Sequence, residues 1–259
     1  MNTFIEVIIN KYELFLIVFV RCSGIFLVSP FFSSQNIPNR FKVGLIFFLS
    51  IILTSTLQIS VSDLEIPMIV LIFKELLVGS IIGFISYIFF SSFYVMGQIV
   101  DMNIGFGMIN VVDPQNRIQV PLMGNFYYIL AFLLLLTIDG HHTIINSIVD
   151  SYEFIPIGAF KITENIAYFI INLISKMFIL GFRLSMPVFF TIFLLDILLG
   201  ILVRTIPQMN IFVVGLPLKI FIGIIAILIS IPVFNGIVSN SFKELIEDIN
   251  ILLRFFSEG

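Results

Sequence analysis

Long apolar runs dominate this chain, and they leave too little charge to build a surface facing water. They extend from Leu14 to Val28, Val43 to Ile59, Ile66 to Gly97, Leu122 to Ile138, Ile166 to Phe182, Leu184 to Val203 and Ile211 to Val238. A helix needs roughly 20 residues to cross a hydrocarbon core of about 30 Å. The first run is shorter than that, whereas the third would extend about 48 Å as a helix. It is too long for one upright span and too short for two with a turn. Such uneven lengths predict helices that tilt strongly, project beyond a bilayer or pack on other proteins. Hydrophobic residues make up 59% of the 259 and charged residues 11%, against about a quarter charged in soluble domains. The expected fold class is all-α: a polytopic hydrophobic helical membrane protein.

The charge balance narrows the field further. A net charge of −3 gives no basic footprint for nucleic acid. One cysteine, Cys22, cannot make an intrachain disulfide. Trp is absent and Phe reaches 31, so any interfacial aromatic belt rests on Tyr and Phe. Arg21 interrupts the first run, which closes on Ser29-Pro30 without a small-x-small cleavage pattern, so a retained helix is expected there. Upstream, Thr3 and Glu6 fit a capping box. Arg40 and Lys42 lie in one loop, Asp63 and Glu65 in the next, and later loops mix signs, so the charge bias assigns no topology. The tail differs in character. Phe242, Leu245, Ile246, Ile249, Leu252, Leu253 and Phe256 recur at helical spacing opposite Lys243, Glu244, Glu247, Asp248 and Arg254, which predicts an amphipathic helix.

Several polar residues sit where lipid would not tolerate them alone. Arg21, Lys74, Glu75, Lys176, Arg183, Asp196 and Lys219 lie within or beside apolar runs. Each needs a partner or water. Arg21 and Glu75 lie deepest, which predicts buried protein partners for both, whereas Lys42 and Arg204 are placed to snorkel and Lys219 fits either reading. Glu75, Gly79, Gly83 and Ser86 recur at helical spacing and form one polar, small-residue stripe suited to close helix approach. Asn172, Lys176 and Arg183 share another, cationic face. Pro187, Pro217 and Pro232 are expected to interrupt the later helices.

Catalytic and metal constellations are not evident. His141 and His142 are adjacent and so point about 100° apart on a helix, unlike paired metal ligands; hydrogen bonding with Asp139, where Gly140 breaks the helix, is the better account. Cys22, Asp101, Asp113 and Asp139 fall in unrelated contexts. The most informative stretch is Gln98 to Pro121, QIVDMNIGFGMINVVDPQNRIQVP. Gly105 and Gly107 permit unusual backbone angles, Asp113-Pro114 signals a turn, and Phe106, Met108, Ile109, Val111 and Val112 make it apolar. It reads either as a loop packed on the bundle or as a movable seal.

The order and spacing of several segments resemble the FliR family of the flagellar type III export apparatus, whose relatives serve injectisomes. These are RCSGIFLVSPFF at Arg21 to Phe32, Ile37-Pro38, KELLVGSIIGF at Lys74 to Phe84, GQIVDMNIGFG at Gly97 to Gly107, Asp113-Pro114, DGHH at Asp139 to His142 and SYEFIPIG at Ser151 to Gly158. The resemblance covers most of the chain. It implies a non-enzymatic subunit without cofactor or metal, in the bacterial inner membrane at the flagellar basal body. Its partners would be FliP-type and FliQ-type subunits, FlhB, unfolded export substrates and lipid. It also implies a FliP-like part over 1–165, a FliQ-like hairpin over 166–238 and a C-terminal amphipathic helix over 239–259. The family's pore plug maps onto Gly105 to Pro121, with Gly105, Phe106, Gly107, Met108, Ile109, Val111, Val112, Asp113 and Pro114 as gating candidates. Arg21, Gly24, Glu75, Gly79, Gly83 and Ser86 are the candidates for helix packing or subunit contact. An injectisome subunit and a small-solute transporter are the competing functional readings; a transporter would carry an internal repeat and a discrete midplane site.

Overall fold

Every regular element among the described residues is helical. The computed structural model describes residues 11–34, 37–57, 66–108, 121–161, 165–206 and 211–257. In chain order the helices are α1 (Tyr12–Val28), α2 (Pro30–Ser33), α3 (Asn39–Thr56), α4 (Met68–Ile104), α5 (Leu122–Thr137), α6 (Gly140–Phe154), α7 (Asn165–Thr205) and α8 (Ile211–Ser257), with a 3-10 turn at Phe106–Met108 after α4. The Thr3/Glu6 capping box lies outside the described residues.

The third apolar run resolves as one helix. α4 has 37 residues and so reaches about 55 Å. α7 and α8 are longer still, at 41 and 47 residues. Four described helices are long and apolar enough to cross a membrane, namely α3, α4, α7 and α8; a fifth span results if α5 and α6 count as one broken span. Between those two, Asp139 takes a left-handed conformation, φ 54°, which stops α5 and starts α6.

The expected breaks within α7 and α8 are absent. Pro187, Pro217 and Pro232 all lie inside continuous helix. Proline removes one ladder hydrogen bond and crowds the preceding turn, but in long apolar helices the remaining ladder and neighbouring hydroxyls absorb the defect. The carbonyl freed by Pro187 is that of Arg183, one turn earlier, and the helix runs through it unbroken. Likewise the runs on either side of Arg183 form one helix, because the exposed guanidinium demands no interruption.

Two compact units share these helices. One contains residues 1–88, 139–173 and 243–259. Within it α1 packs against α2 and α3, burying Ile17, Val18 and Ile25 completely. The tail belongs to this unit: Phe256 meets Phe160 at 4.7 Å between ring centres, Phe255 meets Phe169 at 5.7 Å, and the Arg254 guanidinium lies over Phe154. Leu245, Ile249, Leu252 and Leu253 are all buried. Asp248 departs from its expected place on the polar side and is only 7% exposed. Three residues after Leu245 and four before Leu252, it shares their column on the helix.

The other unit contains residues 89–138 and 174–242. Its core is rich in aromatic rings. Phe90 stacks on Phe132 at 4.6 Å, Phe89 meets Phe242 at 4.9 Å, and Phe234 contacts both Tyr127 and Phe93. Such ring pairs add about 0.5–1.5 kcal/mol each beyond area burial.

The docked tail is open to test. Leu245→Asp combined with Leu252→Asp places two carboxylates in apolar contact sites. Limited proteolysis is then expected to release the segment after Phe242 from the variant and to spare it in the wild type; equal protection in both would contradict docking.

Candidate functional site: a buried clasp and the base of a long connection

Arg21 and Glu75 are both fully buried, and they pair with each other. Arg21 Nε donates to Glu75 Oε2 at 2.5 Å, Nη1 to Ser151 Oγ at 3.1 Å, and Nη2 to the Ile155 carbonyl at 3.0 Å. The second carboxylate oxygen, Glu75 Oε1, accepts the Gly158 backbone N–H at 3.0 Å. Lys74 Nζ donates to the Gly158 carbonyl at 2.8 Å, and the guanidinium lies 3.9 Å above the Tyr152 ring. The clasp therefore joins α1, α4, the last turn of α6 and the turn that follows it. Gly158 has φ 79°, a conformation that suits glycine, and it presents its N–H and its C=O to adjacent residues of α4.

The stripe beside Glu75 makes this approach possible. A Cβ on Gly24 would lie 2.7 Å from the Leu76 carbonyl oxygen, and one on Gly79 would collide with the Arg21 carbonyl. A Cβ on Gly83 would press on Ser29 and Val28. α1 and α4 thus touch backbone to backbone, as small-residue seams allow. Ser86 is buried and bonds its own helix at the Ile82 carbonyl. What the stripe meets among the described residues is α1 of the same chain.

The candidate gating residues divide. Gly105 has φ 98°, and Phe106, Gly107 and Met108 form the 3-10 turn behind it. Ile109, Val111, Val112, Asp113 and Pro114 lie outside the described residues. The two ends of the connection are well defined. Asp101, on the last turn of α4, accepts the Met123 N–H at 3.1 and 3.2 Å with its two carboxylate oxygens. Sequence reasoning assigned Asp101 no role; its nearness to a helix start 21 residues later has no periodic signature.

Other charged residues also find places. Lys42 bonds the Ser33 carbonyl at 3.0 Å, and Lys219 pairs with Asp196 rather than snorkelling. Asn172, Lys176 and Arg183 are all exposed. The histidines depart from the divergent picture drawn from their adjacency. Their rings lie 4.2 Å apart, and ligand atoms of Asp139, His141 and His142 all fall within 4.8 Å of one another. The left-handed turn at Asp139 brings its carboxylate back toward the first turn of α6. That helix start is electropositive and favours anions over cations, and Asp139 and His142 are exposed, so the geometry alone assigns no metal.

Two substitutions test the clasp and its seam. Glu75→Lys leaves two buried cations and removes the acceptor for Gly158, and breaking a buried pair costs about 3–5 kcal/mol. Gly79→Leu forces α1 and α4 apart. Both variants are expected to show a lower melting temperature in detergent and reduced yield. The charge swap Arg21→Glu with Glu75→Arg should fail to restore either, because the Gly158 N–H still needs an acceptor at position 75; full recovery would show that charge alone matters.

Residues 12–245 match the family described as Bacterial export proteins, family 1. The chain is 39% identical over 250 residues to the flagellar biosynthetic protein FliR of Bacillus subtilis (strain 168), covering 95% of this chain and 96% of that one. It is 29% identical to the FliR of Aquifex aeolicus (strain VF5), with 93% and 94% covered, and 27% identical to that of Escherichia coli (strain K12), with 92% and 91% covered. A match that begins at the first turn of α1 and ends within the docked tail spans every helix described above, and the chain belongs to the bacterial export proteins, family 1, alongside these FliR proteins.

Proposed function

We propose that this chain is a structural and gating subunit of the flagellar type III protein export apparatus, forming part of the pore through which unfolded flagellar subunits leave the cell. The observation that carries this reading is its near end-to-end similarity to proteins named flagellar biosynthetic protein FliR. The flagellar names of these relatives favour the flagellar system over an injectisome. The transporter reading is less favoured by these names, and five of the charged groups inside the apolar helices are engaged in tying the fold together: Arg21, Lys74 and Glu75 in the clasp, Lys219 with Asp196.

In this reading the chain is not an enzyme. It sits in the bacterial inner membrane at the flagellar basal body and assembles with FliP-type and FliQ-type subunits and FlhB. Large apolar side chains exposed along the long helices, such as Phe178, Phe193 and Ile229, are surface suited to partner helices or lipid. The chain would divide into a FliP-like part over 1–165, a FliQ-like hairpin over 166–238 and the terminal helix over 239–259. The connection from Gly105 to Pro121 is the plug: an apolar, glycine-hinged segment can seal a wide pore and still be displaced by substrate.

Two measurements decide this. Purification of the tagged chain from its own host should bring FliP-type and FliQ-type proteins with it, and recovery of the chain alone would count against the assembly. Removing Met108 to Val112 spares the flanking helices. The assembled variant is expected to pass ions or small solutes across vesicle membranes faster than the wild type, and an assembled variant that conducts no more than wild type overturns the plug.

A further inference from the structure

α5 begins at Leu122 behind Pro121, which offers no side-chain cap. Its first amide groups need acceptors, because a helix start leaves four N–H groups unpaired. The acceptor comes from another helix. Asp101 is 6% exposed and faces the Met123 N–H with both carboxylate oxygens, at 3.1 and 3.2 Å. A buried carboxylate on a helix start is well matched in charge and in donors.

The surroundings reinforce this junction. A Cβ on Gly97 would collide with the Gly124 backbone, so α4 and α5 approach there as closely as backbones allow. Just beyond Asp101, Ile104 packs against Gly223 of α8, and Gly105 stands against Leu216 of the same helix. Asp101, in the last turn of α4, and Met123, in the first turn of α5, thus bracket the connection between the two helices.

We infer that Asp101 is a positioning residue that pins the start of α5 to the end of α4 and so fixes both anchor points of the connection. This rests on the plug reading for its consequence, not for its geometry. With the anchors fixed, the end of α4 and the start of α5 stay in register with each other. An ordinary N-cap residue at position 121 would satisfy the same Met123 amide but would tie α5 to nothing.

That distinction supplies the test, made on the assembled complex with Cys22→Ser and spin labels at positions 102 and 122, where Met102 and Leu122 are exposed. Asp101→Ala should broaden the distance between the labels and speed hydrogen exchange of the Met123 amide on the order of tenfold. Asp101→Asn, which keeps the volume and one acceptor, should fall between. Adding Pro121→Asp to Asp101→Ala should restore amide protection while the label distance stays broad. If the added cap also restores the distance, or if Asp101→Ala never broadens it, the pin is overturned. Conductance separates this from the plug. Asp101→Ala should leak as the Met108–Val112 deletion does, though less. A leaking deletion beside a tight Asp101→Ala variant overturns the pin's positioning role and leaves the plug standing. A deletion that does not leak sinks the plug, and the pin is then judged on the label distances alone.

Discussion

A guanidinium offers five N–H donors and no acceptor, so burying Arg21 obliges the fold to gather acceptors around it. Glu75 supplies the opposite charge, but one carboxylate cannot satisfy a guanidinium. Ser151 and the Ile155 carbonyl take two further N–H groups, and the Tyr152 ring takes a face. Glu75 in turn has an oxygen left over, which Gly158 fills. Every partner constrains the next. The turn after α6 cannot move without stranding a buried charge, and α1 cannot slide along α4 without breaking the pair. Replacing such a pair by matched apolar residues is often neutral for stability, so the clasp is better understood as fixing one arrangement among the many that apolar helices in contact could adopt.

The glycine seam is the condition for that clasp. Arg21, Glu75 and Gly24 can come together only because Gly79 lets the α1 backbone touch α4. Segments that carried the family resemblance meet here: RCSG supplies Arg21 and Gly24, KELLVG supplies Lys74, Glu75 and Gly79, and SYEFIPIG supplies Ser151, Ile155 and Gly158. Their spacing in the chain follows from the lengths of the helices between them. Within the other unit, GQIVDMNIGFG supplies Gly97 and Asp101 to the junction with α5.

How far the sequence reveals this depends on the range of the interaction. Helix content and the buried state of Arg21 and Glu75 follow from local composition, because a charge in an apolar run must be partnered wherever it lies. The tail was legible for the same reason, its periodicity being complete within a few turns. The pairing of Arg21 with Glu75, Ser151 and Ile155 was not, since those residues are 54, 130 and 134 positions away. The prolines misled because their helix-breaking strength in water overstates their effect where no competing solvent can take up the freed carbonyl. The nearness of the His141 and His142 rings was not legible because backbone spacing does not fix how neighbouring side chains turn. Asp101 was visible as a residue and invisible as a cap.

The division of long helices between two compact units bears on the order in which the protein can be completed. The first unit draws on residues 1–88, then 139–173, and finally 243–259. During synthesis its opening segments emerge long before Leu245, Ile249 and Leu252, which cover part of its core. Until they arrive, the apolar surface they will cover stays unpaired, the kind of exposed intermediate from which larger chains misassemble. The clasp can close earlier, since its last contributor is Gly158. Biogenesis would therefore pass through a state in which the clasp is closed before the tail reaches Phe154, Phe160 and Phe169, and a truncation near the C-terminus would act on residues made much earlier in the chain.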